Sequence, residues 1–283
     1  MKSEARCIPC VIQQCQRIVQ MITDDQDKLL NATHRVLDRI QELSLDEPPS
    51  LFTSQVLLET YAALGVDDPF AQVKKQMNEL GSRSADAARS KIERTNDPMH
   101  TAILYAAAGN VIDIGPRATF DLDAALANLH FKRDDYRTFR DRLHGAERIL
   151  YLLDNAGEIF FDKLLIERLA GYQLTMAVKP GPILNDATLS DAEAAGLKKF
   201  GKVITTGARV LGIDRIGSSP EFLEAFESAD IVIAKGHANF ESVVDATRDA
   251  FFILKAKCPV VAARLKVQEG DSVFCYSPAQ EED

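Results

Sequence analysis

Two acids and an amide, Asp154, Asn155 and Asp186, offer three hard oxygen donors, two of them negative, with no thiolate or imidazole among them. Such a set suits Mg2+ or Mn2+ and leaves positions open for a phosphate oxygen and a water. Asp154 and Asn155 open the stretch Asp154-Asn155-Ala156-Gly157-Glu158, directly after an apolar run at 149–153. Asp186 lies in Lys179-Pro180-Gly181-Pro182-Ile183-Leu184-Asn185-Asp186-Ala187-Thr188, after an apolar run at 173–178. A third polar stretch, Lys235-Gly236-His237-Ala238-Asn239-Phe240-Glu241, follows the run at 230–234. A cation held by the oxygen donors polarises a phosphoryl group and positions or acidifies the attacking water, while Lys179 and helix N-termini offset the phosphate charge.

Each residue also has a simpler role. Asp154, Asn155 or Asp186 can cap the helix that follows it, Lys179 and Lys235 can be solvated, and Gly236 and Asn239 can serve turn geometry alone. His237 can donate a proton or contact a substrate, or be a plain loop histidine. Repetition decides between the readings: a parallel sheet gathers its strand ends on one edge, where ligands bind.

The elements that would position these residues follow from the apolar periodicity. Short apolar runs at 149–153, 173–178, 202–206, 230–234, 259–263 and 272–276 read as strands, separated by helical patterns at 159–169, 190–199, 220–227 and 240–255. This is an α/β fold with a Rossmann-like, mainly parallel sheet. The first half reads as helices at 9–21, 29–43, 53–64, 69–80, 85–93 and 99–108, with Gly65, Gly81 and Pro98 as punctuation and no strand before residue 146. The expected division is a helical region at 1–146 and a Rossmann-like domain carrying the metal site at 147–283. Asn110 and Asp113 stand three apart in apolar sequence after the last of these helices, a pattern that a capped helix end also explains.

The 283 residues, 46% of them hydrophobic, suffice for a packed core. A net charge of -9 argues against general affinity for nucleic acid. No apolar stretch is long enough to cross a bilayer, and the start, with Lys2, Glu4 and Arg6, does not read as a secretion signal, so the expectation is a cytoplasmic protein with reduced thiols. Cys7, Cys10 and Cys15 cluster near the start, and with Cys258 they could form a second metal site or a thiol switch; packing on an apolar helix face is the simpler account. No GxGxxG, GxxxxGK[ST] or GxSxG is present, which disfavours dinucleotide, P-loop and serine-hydrolase chemistry.

Taken together, Cys7-x-x-Cys10, Gly109-Asn110-x-x-Asp113, Asp154-Asn155-Ala156-Gly157-Glu158, Lys179-x-x-Pro182-x-x-Asn185-Asp186-Ala187-Thr188 and Lys235-Gly236-x-x-Asn239-x-Glu241 resemble the metal-dependent damage-control phosphatases, formerly domain of unknown function 89. The resemblance spans nearly the whole chain. Cys7-x-x-Cys10 and Lys257-Cys258-Pro259 look like its smaller, prokaryotic-type branch. It implies helices packed on a Rossmann-like domain and a divalent cation at Asp154, Asn155 and Asp186, with Co2+ or Ni2+ also serving. It further implies hydrolysis of phosphate monoesters of small metabolites such as sugar phosphates or damaged phosphometabolites. Lys179 would contact the phosphate, Asn110 and Asp113 would reach in from the helical half, and Lys235, Gly236, Asn239 and Glu241 would complete the substrate site. Ala238 departs from the glycine common at that place in the family, and its methyl could narrow the loop. Glu158 is expected outside the inner shell, as a first-turn residue that orients a ligand. The competing readings are a non-hydrolytic phosphometabolite sensor and a small-molecule methyltransferase. Whether water attacks directly or Asp154 is the nucleophile, and the oligomeric state, are left open by the residues.

Overall fold

The computed structural model describes residues 1–109, 126 and 129–280. The first elements are helices: α1 (Cys7–Ile22), α2 (Gln26–Ile40), α3 (Pro49–Leu64), α4 (Ala71–Ile92) and α5 (Pro98–Gly109). The α1 helix buries Val11, Cys15, Ile18 and Val19, the three- and four-residue spacing of one helical face. The α3 helix starts on a proline at its first position and stops at Gly65, whose φ of 66° places it in the left-handed region. Helices α1 to α3 share a core that also takes in Ile183 and Leu211 from the second half.

From residue 131 the chain alternates: β1 (Phe131–Asp134), α6 (Tyr136–Leu143), β2 (Arg148–Leu152), α7 (Ile159–Ile166), β3 (Gln173–Val178), α8 (Leu189–Ala194) and β4 (Lys202–Thr205). Then come α9 (Pro220–Ser228), β5 (Ile231–Lys235), α10 (His237–Val243), β6 (Ala250–Lys255), α11 (Pro259–Leu265) and β7 (Ser272–Ser277). The seven strands form one sheet in the order β1-β7-β6-β5-β2-β3-β4, parallel except where β7 runs against β6. Strand β2 is buried on both sides, with Ile149, Tyr151 and Leu153 in one core layer and Leu150 and Leu152 in the other. The first layer also holds Met77, Ala85 and Ile92 of α4 and Ala102, Ile103 and Ala106 of α5. The helical segment therefore supplies one face of the sheet's own core.

Register explains why the polar strand ends meet. Leu152 pairs with Ala177 of β3 on one side and with Ala234 of β5 on the other. Two residues further on, Asp154, Lys179 and Gly236 consequently share one row. From β2 the chain moves outward through β3 and β4 and then crosses back to β5, so this row lies at the switch point of the sheet, where crossover loops part and leave a crevice.

Four expectations are corrected. A strand does precede residue 146: β1 pairs in parallel with β7 at the sheet edge. The segments at 69–80 and 85–93 form one continuous helix, α4, because Gly81 is a contact point and not a break; a Cβ there would sit 2.3 Å from the Gly157 carbonyl oxygen. The stretch at 240–255 splits into α10 and the strand β6, a run apolar up to Lys255 whose burial on both faces erases any distinguishing period. The segment at 259–263 is helical, begun by Cys258 as N-cap and Pro259 at the first position and ended at Lys266 in the left-handed region.

Replacing Gly81 with alanine forces α4 away from the 154–158 turn, and overpacking of this kind costs about 1–3 kcal/mol. Gly145, where an added methyl would meet nothing within 4 Å, is the control, and its alanine variant should stay within about 0.5 kcal/mol of the parent protein. Urea denaturation of the two variants measures the difference.

Candidate active site

Backbone hydrogen bonds lace the two acid-bearing loops together. Ala156 N–H donates to Asn185 O at 2.8 Å, Ala187 N–H to Asp154 O at 2.7 Å, and Lys179 N–H to Ala187 O at 2.9 Å. Asn155 and Asp186 form a bridge pair as a result. The Asp186 carboxylate lies 3.8 Å from the Lys179 ammonium, which also donates to Gly212 O. Asp154, Lys179 and Asp186 are all buried. The structure thus brings Asp154, Asn155, Asp186 and Lys179 together.

Gly236 and Asn239 shape this place from β5 and α10. A Cβ on Gly236 would fall 1.8 Å from Asp154 Oδ2, and its φ of 81° is one that side chains rarely adopt, so glycine lets the carboxylate lie against the backbone. The Asn239 amide donates to Leu153 O at 3.1 Å and Lys235 O at 2.7 Å, tying the ends of β2 and β5. Glu241 turns to His237, 3.3 Å away. The methyl-bearing Ala238 packs against the core of α1 to α3. Asn110 and Asp113 lie outside the described residues.

Lys235 is fully buried, and its ammonium is enclosed by Glu158 Oε1 at 2.5 Å, Asp162 Oδ1 at 2.6 Å and Ala106 O at 2.9 Å. Those acceptors occupy the three protons of an ammonium, so the geometry makes Lys235 a support for Glu158 and not an open phosphate contact. Glu158 Oε2 accepts from Asn155 Nδ2 at 3.1 Å, and the same amide donates to Asp154 Oδ2 at 2.8 Å. With its NH2 turned to both carboxylates, Asn155 has Oδ1 as the side-chain atom able to serve as a ligand. Glu158 is accordingly nearer the centre than its position as a first-turn helix residue implied.

Sequence reasoning passed over four further contributors. Asp162 accepts from Tyr151 OH at 2.9 Å as well as from Lys235, while Asn78 of α4 accepts from Gly157 N–H at 2.7 Å and donates to Asp191 at 2.7 Å. A signal for Asp162 was present: an acid four residues after Glu158, on the same face of a helix that is apolar all round. For Asn78 nothing in the local pattern marks it out.

The electrostatics describe a place short of positive charge. Burial, then repulsion from Glu158 and Asp186, pushes the Asp154 carboxyl up to about 8 against the pull of Lys257 and Lys235. Burial, with Glu158 adding to it, pushes Asp186 up to about 6 in spite of Lys179 and Lys74. Burial lowers Lys179, opposed by Asp186 and Asp154. A divalent cation fits such a donor set, because it neutralises carboxylates that otherwise hold protons. Among the described residues no three His, Cys, Asp or Glu side chains are grouped to hold a metal ion; an amide completes the candidate set.

Acids, an amide and a lysine at the switch point of a parallel α/β sheet are groups that metal-assisted phosphoryl hydrolysis can use. The damage-control phosphatase ARMT1-like domain matches residues 3–273. A damage-control phosphatase of Pyrococcus horikoshii is 39% identical over 279 residues, covering 95% of this chain and 96% of the relative. A damage-control phosphatase of Archaeoglobus fulgidus is 30% identical over 285 residues, with 96% and 98% covered. The crystal structure of a family 89 protein from Pyrococcus horikoshii superposes with a TM-score of 0.89 at 38% identity, over 97% of this chain and 98% of that one. The chain belongs to the damage-control phosphatase ARMT1-like family and is a phosphatase, of a family whose members depend on a metal. Family membership sets aside the sensor and methyltransferase readings.

Lys235→Met leaves Glu158 and Asp162 buried without their cation, and breaking such a pair costs about 3–5 kcal/mol. Adding Asp162→Asn removes one orphaned charge and restores part of the loss, which urea denaturation of the single and double variants measures. The raised carboxyls also predict a pH dependence. From the ordinary value of 3.8 up to about 8 for Asp154, and up to about 6 for Asp186, the folded state keeps protons that the unfolded chain has released. Their contribution to stability therefore falls as pH rises through that interval. Chelator-treated protein should lose stability between pH 5 and about 8 relative to protein in excess Mn2+, which binds the folded state and offsets the loss.

Proposed function

We propose that Asp154, Asn155 and Asp186 hold one divalent cation and that Lys179 receives the phosphate of the substrate beside it. The observation that carries this reading is the backbone lacing of the 154–156 and 185–187 loops, which fixes two buried carboxylates and an amide next to a buried lysine. Hard oxygen donors favour Mg2+ or Mn2+, with Co2+ and Ni2+ as further candidates from the family. When bound, the cation supplies Lewis-acid polarisation of the phosphoryl group and charge neutralisation.

The chain's own residues do the remaining work. Lys179, its charge disfavoured by burial, gains from an incoming phosphate. Glu158, held by Lys235, fixes the Asn155 amide so that Oδ1 faces the cation. Gly236 keeps the wall beside Asp154 thin, and Asn239 prevents β2 and β5 from parting at the site. Exposed Lys257, whose charge bears on Asp154, is a second cation for the mouth. The family resemblance adds Asn110 and Asp113, which lie outside the described residues, and Glu241 of α10 as substrate contacts. The substrates are phosphate monoesters of small metabolites, sugar phosphates or damaged phosphometabolites, met in the cytoplasm.

Hydrolysis of p-nitrophenyl phosphate and a sugar-phosphate panel, with several metals and with chelator, tests the reading. Activity should require divalent metal, and Asp154→Asn should lower kcat by at least about a hundredfold, the scale of losing one electrostatic stabiliser of the transition state. Calorimetry should show weaker metal binding for Asp154→Asn and Asp186→Asn. Full activity in Asp154→Asn, or turnover unaffected by chelator, overturns the assignment.

A further inference from the structure

One face of α4 carries Lys74, Asn78 and Gly81, at the four- and three-residue steps that line up on a helix. This face lies against the two loops that bring Asp154 and Asp186 together. At one end it meets Gly157. A Cβ on Gly81 would sit 2.3 Å from the Gly157 carbonyl oxygen, and a Cβ on Gly157, whose φ is 78°, would sit 2.7 Å from the Met77 carbonyl oxygen. At the other end Lys74 lies 3.0 Å from Asp191 Oδ2 and donates to Thr188 Oγ1 at 3.4 Å. Lys74 and Asp191 are both buried. Met77 accepts from the Asn185 amide at 3.9 Å.

Asn78 stands between the two ends and holds both. Its Oδ1 accepts from Gly157 N–H at 2.7 Å, and its Nδ2 donates to Asp191 Oδ1 at 2.7 Å. The amide has one possible orientation, because a backbone N–H can only donate and an ionised carboxylate can only accept. Burial would raise Asp191, but Thr188, Asn78 and Lys74 outweigh it and hold the carboxyl below its ordinary value. The other oxygen of Asp191 accepts from Thr188 N–H at 2.8 Å and from Thr188 Oγ1 at 2.7 Å, and Thr188 pairs with Lys179 beyond the end of β3. Hydrogen bonds thus run from Gly157, two residues after Asn155, through one side chain of α4 to Thr188, two residues after Asp186.

We propose that Asn78 is a positioning residue for the phosphatase reaction: as a crosspiece between Gly157 and Asp191 it sets the separation of the loops that carry Asp154, Asn155 and Asp186, and so the span of the donors offered to the cation. The inference rests on the assignment of those three residues to the cation. Backbone pairing of 154–156 with 185–187 joins the loops along one line, about which they can still roll. A second tie on the α4 side stops the roll. The helical segment is thereby part of the frame that holds the metal donors, acting through Gly157 and Asp191 without touching the substrate.

Exchanging the two polar ends tests this. Asn78→Asp sets two carboxylates face to face, and Asp191→Asn leaves opposed N–H groups at Asn78, Gly157 or Thr188 whichever way either amide turns. In the double variant the new carboxylate accepts from Gly157 N–H, and the new amide donates to it while its oxygen keeps the Thr188 bonds. Every hydrogen bond returns, with the one between positions 78 and 191 reversed. Asn78→Ala adds no charge and suits a helix. The readouts are calorimetry with Mn2+ and hydrolysis of p-nitrophenyl phosphate by the full-length protein. Each single variant should weaken Mn2+ binding and lower kcat by about tenfold, the scale of losing a group that orients metal ligands, with KM changed less. The double variant should recover both to within about threefold of the parent. Ala88→Gly, in the core further along α4, loosens the helix away from both loops and should leave Mn2+ affinity within about twofold. Unchanged Mn2+ affinity and kcat in the folded single variants, an equal loss in Ala88→Gly, or no recovery in the double variant overturns the proposal. Asp154→Asn, assayed alongside, separates the two levels. If it binds Mn2+ as the parent does, the cation site is misplaced and the proposal falls with it; weakened binding there with unaffected Asn78 variants strikes the crosspiece alone.

Discussion

A lysine ammonium with no exposure to water stands beneath this molecule's catalytic edge, and much of the local structure exists to satisfy it. Removing the Lys235 charge from solvent is expensive unless opposite charges and hydrogen-bond acceptors surround it. Glu158 and Asp162, at the start and within the first turn of α7, and a carbonyl of α5 do so. Because Glu158 also takes the Asn155 amide, the solvation of one buried cation determines the aim of the Asn155 side chain. Tyr151 closes the far side of the arrangement through Asp162. The catalytic loop is therefore held by charge from below and by backbone pairing with the 185–187 loop from the side.

Much of this was legible in the order of residues alone. The strand ends at Asp154, Lys179 and Lys235 could be read because abrupt changes from apolar to polar residues mark where a parallel strand leaves the core. Their convergence followed from the rule that such ends share an edge. The misreadings have equally physical origins. The run Ala250–Lys255 is apolar on both faces, so no period separates strand from helix there. Gly81 looked like a helix break because sequence shows only the missing side chain, while its cause is the backbone of Gly157 lying against it. Glycine's two uses, bending and close approach, look alike in one dimension.

Long-range partnership was the other hidden quantity. Lys235 read as a substrate contact because a lysine at a strand end resembles a free cation; its partners are a carbonyl 129 residues earlier and an acid within an apolar helix. The cysteines likewise read first as packing on a helix face, since no histidine stands near them in sequence. His237 reaches Cys258 only through the sheet strand that separates α10 from α11 in the chain. A buried polar residue amid large apolar ones, as at Asp162, is the pattern that points to such distant partners.

The edge of the sheet carries a consequence for biosynthesis. Strand β1, at residues 131–134, pairs with β7, at residues 272–277, so it is made well before its neighbour. The carbonyl of Ala106 likewise waits for Lys235. The part of the chain synthesised first is thus left with an unpaired strand and an unfilled apolar face until β5 to β7 have been made. Contacts of such sequence separation make folding slow and expose sticky surface meanwhile. For this chain, the order of synthesis delays a working phosphatase until β7 has joined the sheet.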